Sequence, residues 1–156
     1  MGERSPILDP ESRGVLFGLS AMHTKKDIVR AVMEGVMYSQ WHNLNVLRGM
    51  HVAPNAMLAC GGGAKSPFWR QMMADMYNMP VSTLQNTEGP ALGAAILAGV
   101  GAGIYKDVPS ACKELLKESE PLLPDADRHA AYEPFFDLYQ KIYLDLKDEF
   151  HTLAQL

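Results

Sequence analysis

The segment Ala59-Cys60-Gly61-Gly62-Gly63-Ala64-Lys65-Ser66-Pro67-Phe68-Trp69 concentrates the residues best suited to holding an anion. A short apolar run, Ala56-Met57-Leu58-Ala59-Cys60, fits a buried strand. It meets Gly61-Gly62-Gly63, after which Ser66 and Pro67 are the residue types favoured at a helix N-cap and first helical position. Glycines at a strand-to-helix corner let the backbone take positive φ angles and approach a ligand closely. The free amides and positive dipole end of the next helix face the same space. Phosphate is the natural ligand of such a corner, with Ser66 adding a hydroxyl and Lys65 a point charge. A purely structural glycine turn explains the same residues. The sharper templates do not decide, because a Walker A loop needs Gly directly before Lys-Ser, where Ala64 stands, and the dinucleotide fingerprint needs Gly or Ala at Ser66.

Other chemically suggestive residues read as ordinary. His23, His42, His51, His129 and His151 are dispersed, and no metal site is expected from them. Serines form no G-x-S-x-G elbow. Cys60 and Cys112, 52 residues apart, match no C-x-x-C pattern and read as reduced thiols, so a cytoplasmic setting is expected. Met33, Met37, Met72, Met73 and Met76 read as core filling. With 14 basic and 18 acidic side chains the net charge is -4, and no Lys/Arg cluster offsets it, which excludes a nucleic-acid or anionic-membrane surface. The N-terminus goes straight into charged and turn-forming residues, and no secretion signal is expected.

The 156 residues, 47% hydrophobic and 21% charged, suit one ordinary globular domain. Residues 1–23 read as a loop. Thr24 with Asp27 resembles a capping box that opens a long helix running to Gly49, apolar around much of its circumference and therefore expected inside. A second helix should run from Ser66-Pro67 to about Tyr77, and Met79–Leu84 reads as a second strand. Thr87-Glu88-Gly89-Pro90 opens a small-residue helix, and the apolar stretch Pro90–Ile104 is expected to be buried, being too short and glycine-rich for a membrane span. A short helix over 108–118, a loop over Pro121–Asp127 and an amphipathic helix over 133–153 complete the chain. Phe135, Leu138, Tyr139, Ile142, Tyr143, Leu146, Phe150 and Leu153 form the apolar stripe of that last helix. Strand, helix, strand, helix is an α/β rhythm, but two strands are few for an independent sheet.

The run Gly14-Val15-Leu16-Phe17-Gly18-Leu19, seven residues, then Asp27-Ile28-Val29-Arg30-Ala31-Val32-Met33-Glu34 closely resembles a signature of the FGGY family of carbohydrate kinases. Three further blocks are similar to the xylulose kinases within it, with gluconate kinases sharing much of the wording. They are Gly2-Glu3-Arg4-Ser5-Pro6 with Asp9-Pro10 and Arg13-Gly14, the Gly61–Gln71 turn, and Glu88-Gly89-Pro90-Ala91-Leu92-Gly93-Ala94-Ala95. The resemblance covers nearly the whole chain. It implies a ribonuclease-H-like, actin-like ATPase fold, of which this chain is the C-terminal portion, helix-rich with few strands. It implies ATP/ADP with Mg2+ as cofactors, Gly61, Gly62, Gly63, Ala64 and Ser66 as nucleotide contacts, and phosphoryl transfer to a sugar, D-xylulose first.

The same resemblance places the sugar-binding domain and the general base outside residues 1–156, so no catalytic residue is assigned and the isolated chain is expected to be inactive. Sheet or cleft surface left uncovered would favour self-association. Two other readings stand beside the kinase. One is a non-catalytic nucleotide- or partner-binding module docking through the last helix. The other is a dinucleotide-binding half-domain, weakened by Ser66 and by Gln85 where an acidic residue is needed, Glu88 lying slightly late.

Overall fold

A computed structural model describes residues 2–85 and 89–156. The expected helix opening at Thr87-Glu88 lies outside the described residues. The elements run α1 (Lys25–Gly49), β1 (Met57–Ala59), a short 3-10 turn (Gly63–Lys65), α2 (Pro67–Tyr77), β2 (Val81–Thr83), α3 (Gly89–Gly101), α4 (Val108–Leu115) and α5 (Ala126–Leu153). They divide into two compact units, the first comprising Met1–Pro54, Asp75–Asn78 and Asp125–Leu156, the second Asn55–Ala74 and Met79–Pro124.

In the first unit α1 begins as Thr24 predicts. The N–H and hydroxyl of Thr24 both donate to the Asp27 carboxylate at 2.7 Å, which fixes the chain at the helix entrance and places a negative charge in the first turn. His51, in the left-handed region at φ 63, stops the helix, and the Val52 N–H returns to Leu47 O at 3.0 Å. The core of this unit is aromatic. Phe136 stacks on Trp41 at 4.4 Å, and Tyr38 closes on Tyr139 at 5.6 Å and meets Tyr132 edge-on at 6.4 Å. Met37, Leu44 and Tyr77 complete it, and Tyr77 donates its hydroxyl to the Met37 sulfur at 3.3 Å.

The N-terminal segment folds back on itself through paired Glu3 and Asp9 backbones, and Tyr143 on α5 donates to the nearly buried Asp9 carboxylate at 2.9 Å. That bond, with the Glu11 amide and His151, outweighs burial and holds the Asp9 carboxyl below the usual carboxylate range.

Three features of this unit differ from the sequence reading. Only the stretch from Met37 to Leu44 turns inward, since Met37, Tyr38, Trp41 and Leu44 are buried while Ile28, Val29, Val32 and Val36 before it and Val46 and Leu47 after it are exposed. Next, α5 starts at Ala126, seven residues before the expected 133, because Asp125 caps it by accepting the Asp127 and Arg128 amides at 3.0 Å. Arg128 and the Asp125 amide in turn bind the buried Asp75 carboxylate, and Pro134 is absorbed inside the helix. Finally, Phe135, Leu138 and Leu153 of the expected stripe are exposed, and Phe136, outside it, is 4% exposed.

The second unit is a β-α-β element. β1 and β2 are parallel, Met57 opposite Val81 and Ala59 opposite Thr83, joined through α2. The stretch after α4 adds an antiparallel edge to β2, with Val81 and Leu122 exchanging backbone hydrogen bonds at 3.0 and 2.9 Å. That pairing ends the fourth helix at Leu115, short of the expected 118. Ala59, Ala64, Ala74 and Val81 form a close core of small side chains, with Met57 and Met73 against it. The apolar helix α3 departs from its expected burial: Ile96 is inside, but Leu97 and most of its alanines are exposed. α4 covers one side of α3, and an all-round apolar helix needs more than one neighbour to be interior.

Candidate functional site

The glycine corner leaves β1 at its C-terminal end and leads into α2, as the sequence indicates. Its conformation is less uniform than three equivalent glycines would suggest. Of the three, only Gly61 takes a positive φ, 81°, a conformation that disfavours side-chain-bearing residues. Gly62 is helical at φ -61° and ψ -42°, and among the described residues no atom beyond the chain neighbours stands within 4 Å of where its Cβ, or that of Gly61, would lie. Gly63 is required for a different reason: a Cβ there would stand 2.9 Å from Cε3 of Trp69.

The hydrogen bonds show what the corner has to offer. The Lys65 and Ser66 amides are consumed within the turn, donating to Gly62 O at 3.2 Å and Gly63 O at 3.1 Å. Among the described residues no backbone partner takes the N–H groups of Gly61, Gly62, Gly63 or Ala64. The Ala64 methyl is buried in the small-residue core, so this residue presents only its backbone. Ser66 caps α2 as expected, its hydroxyl accepting the Trp69 N–H at 3.3 Å and its carbonyl the Arg70 N–H at 3.0 Å. Lys65 is exposed beside this group. A row of amides without a backbone partner among the described residues, a helix N-terminus and an adjacent lysine form an arrangement chemically suited to an anion.

Two features lie outside the sequence reading. Trp69 Nε1 and Arg70 Nε, in the first turns of α2, are buried and lack a hydrogen-bond partner among the described residues. Leaving such a group unpaired costs about 1–3 kcal/mol. The signal in the sequence is a tryptophan six residues after the last glycine. The second feature is an open groove of about 450 Å³ in the first unit, bounded by Arg13, Phe17, Val36, Gln40, Tyr139 and Tyr143. The glycine corner is not among the residues that bound it. Among the described residues no group of three or more His, Cys, Asp or Glu side chains could hold a metal. The Mg2+ implied by the family resemblance has no protein cage among the described residues. No helix among the described residues is long and apolar enough to cross a membrane.

Against known proteins, the sequence model of the FGGY family of carbohydrate kinases, C-terminal domain, matches residues 1–102. The xylulose kinase of Staphylococcus epidermidis is 40% identical over 146 residues, covering 94% of this chain and 29% of that protein. The crystal structure of ligand-bound xylulose kinase from Lactobacillus acidophilus superposes with a TM-score of 0.88 at 31% identity, over 97% of this chain and 31% of that one. Gluconate kinase from the same organism gives 0.87, also at 31% identity and the same coverage. The chain thus spans about a third of the length of the relatives it matches.

Proposed function

Because the chain belongs to the FGGY family of carbohydrate kinases, we propose that it is the nucleotide-binding C-terminal part of an ATP-dependent sugar kinase. The reaction is transfer of the γ-phosphoryl group of ATP to a hydroxyl of D-xylulose, giving xylulose 5-phosphate. The observation that carries this reading is the corner at Gly61–Ser66, whose four amides without a backbone partner among the described residues, with the capped helix, suit the anionic tail of ADP or ATP. In this reading Gly61, Gly62, Gly63 and Ala64 bind through backbone N–H groups, and Ser66 through its hydroxyl as well as its role as cap. The N-terminal sugar-binding domain, with the sugar pocket and general base, belongs to the two thirds of the relatives' length that this chain does not span. Phosphoryl transfer depends on positioning and on charge neutralisation from several sides, so the chain alone binds nucleotide without turning it over.

The gluconate kinase superposition favours a second sugar, gluconate, for the same chemistry. Titration of the chain with ADP and with NAD, followed by amide NMR shifts, tests the nucleotide assignment. ADP is expected to move the Gly61–Ala64 resonances and NAD to leave them in place. NAD preference would favour a dinucleotide-binding domain, and no response to either would favour a docking module. Grafting residues 1–156 onto the N-terminal part of a xylulose kinase and assaying xylulose against gluconate separates the two sugars.

A further inference from the structure

We infer that Trp69 is the positioning residue of the nucleotide corner, acting through Gly63; this rests on the nucleotide reading above. The corner is supported unevenly. Among the described residues no atom beyond the chain neighbours lies within 4 Å of where a side chain at Gly61 or Gly62 would begin. Its two fixed points are Ala64, whose methyl is sunk in the core, and Gly63, which lies under the benzo edge of Trp69 at separations of 2.9 and 3.0 Å from a Cβ position to Cε3 and Cζ3.

The backbone from which the ring extends is tied to the corner, because the Trp69 N–H donates to Ser66 Oγ at 3.3 Å. A side chain serving only to fill space would not leave an indole N–H buried and unpaired, since an aliphatic residue avoids that penalty. The two-ring reach of tryptophan brings an edge onto Gly63 while its backbone stays on α2. The ring and Ala64 thus clamp the Gly63–Ala64 peptide and hold the Gly61–Ala64 amides ready before the anion arrives. A preorganised amide array binds more tightly than one that must be ordered by its ligand.

The test measures ADP affinity calorimetrically for the chain and for Trp69→Leu, Gly63→Ala and the double variant. Removing the ring edge or wedging a methyl beneath it is expected to weaken ADP about tenfold each. The double variant is expected to recover part of the loss, since the smaller leucine makes room for the methyl, giving a non-additive cycle. In parallel, ADP is expected to shift the Trp69 indole N–H resonance and leave that of Trp41 unmoved. Should Trp69→Leu not fold, Gly63→Ala, which removes no atoms, carries the test. Affinities within twofold of the parent, or strictly additive losses, overturn the inference and leave nucleotide binding standing. Failure of the parent chain to bind ADP overturns both.

Discussion

The two units achieve order in opposite ways. The first joins long helices and a looping N-terminal segment through large rings: Trp41, Phe136, Tyr38 and Tyr139. The second packs alanines and a valine so closely that β1, β2 and α2 approach with little between them. Large rings span wide gaps and tolerate an open surface, and Val15, Leu16, Phe17, Val29 and Val32 remain exposed around the first unit. Small side chains leave no slack, and the backbone they fix is the one that carries the amide corner. In this protein the backbone around the amide corner is packed by methyl-sized side chains, with the single Trp69 edge against Gly63, and the first unit is held by large stacked rings.

That contrast is open to attack by substitution. Phe136→Ala should be the most damaging, costing about 3–5 kcal/mol because it removes a 4%-exposed ring stacked on Trp41. Urea unfolding followed by near-ultraviolet circular dichroism measures it. Ala64→Val should cost about 1–3 kcal/mol by overfilling the small core. Its distinguishing effect is on ADP affinity, which should fall although the folded chain persists. If Ala64→Val leaves affinity intact, or proves more destabilising than Phe136→Ala, the division of labour between the units is wrong. Ser66→Ala should cost about 1 kcal/mol through loss of the α2 cap, read as a lower melting temperature.

The smallest effect is in acid. Hydrogen bonds from the Thr24 backbone and hydroxyl hold the Asp27 carboxyl below its usual range. Its folded value is thus below the unfolded one near 3.9, so its contribution is complete above that pH and is lost as pH falls through the folded value. An acid titration of helicity should show a shallower decline for Asp27→Asn than for the parent.

Much of the site was legible because its signals are local. Thr24 with Asp27, and Ser66 before Pro67, declare helix starts within four residues, and a run of glycines after an apolar segment declares a turn. The family likeness at residues 14–34 and 61–71 reflects the same density of local information. What escaped was decided at a distance. Periodicity ranked Phe135 onto the stripe and Phe136 off it, and the structure reverses the order because Phe136 stacks on Trp41, some 95 residues away in the chain. The burial of α3 and of the first half of α1 was overestimated because apolarity reports a demand for neighbours and not their presence. That only Gly61 of the three glycines takes a positive φ, while Gly63 is a matter of clearance from Trp69, is likewise invisible until the ring is placed.

Strand β1 has one further consequence. Its ladder with β2 occupies one side, and among the described residues no strand pairs with the other, while Leu58 at its centre is 44% exposed. Main-chain donors and acceptors along that rim form a ready seam for an incoming extended segment, whatever chain supplies it. Concentrated solutions of residues 1–156 should therefore zip into β-bonded oligomers, and a single proline at Leu58 should keep them apart.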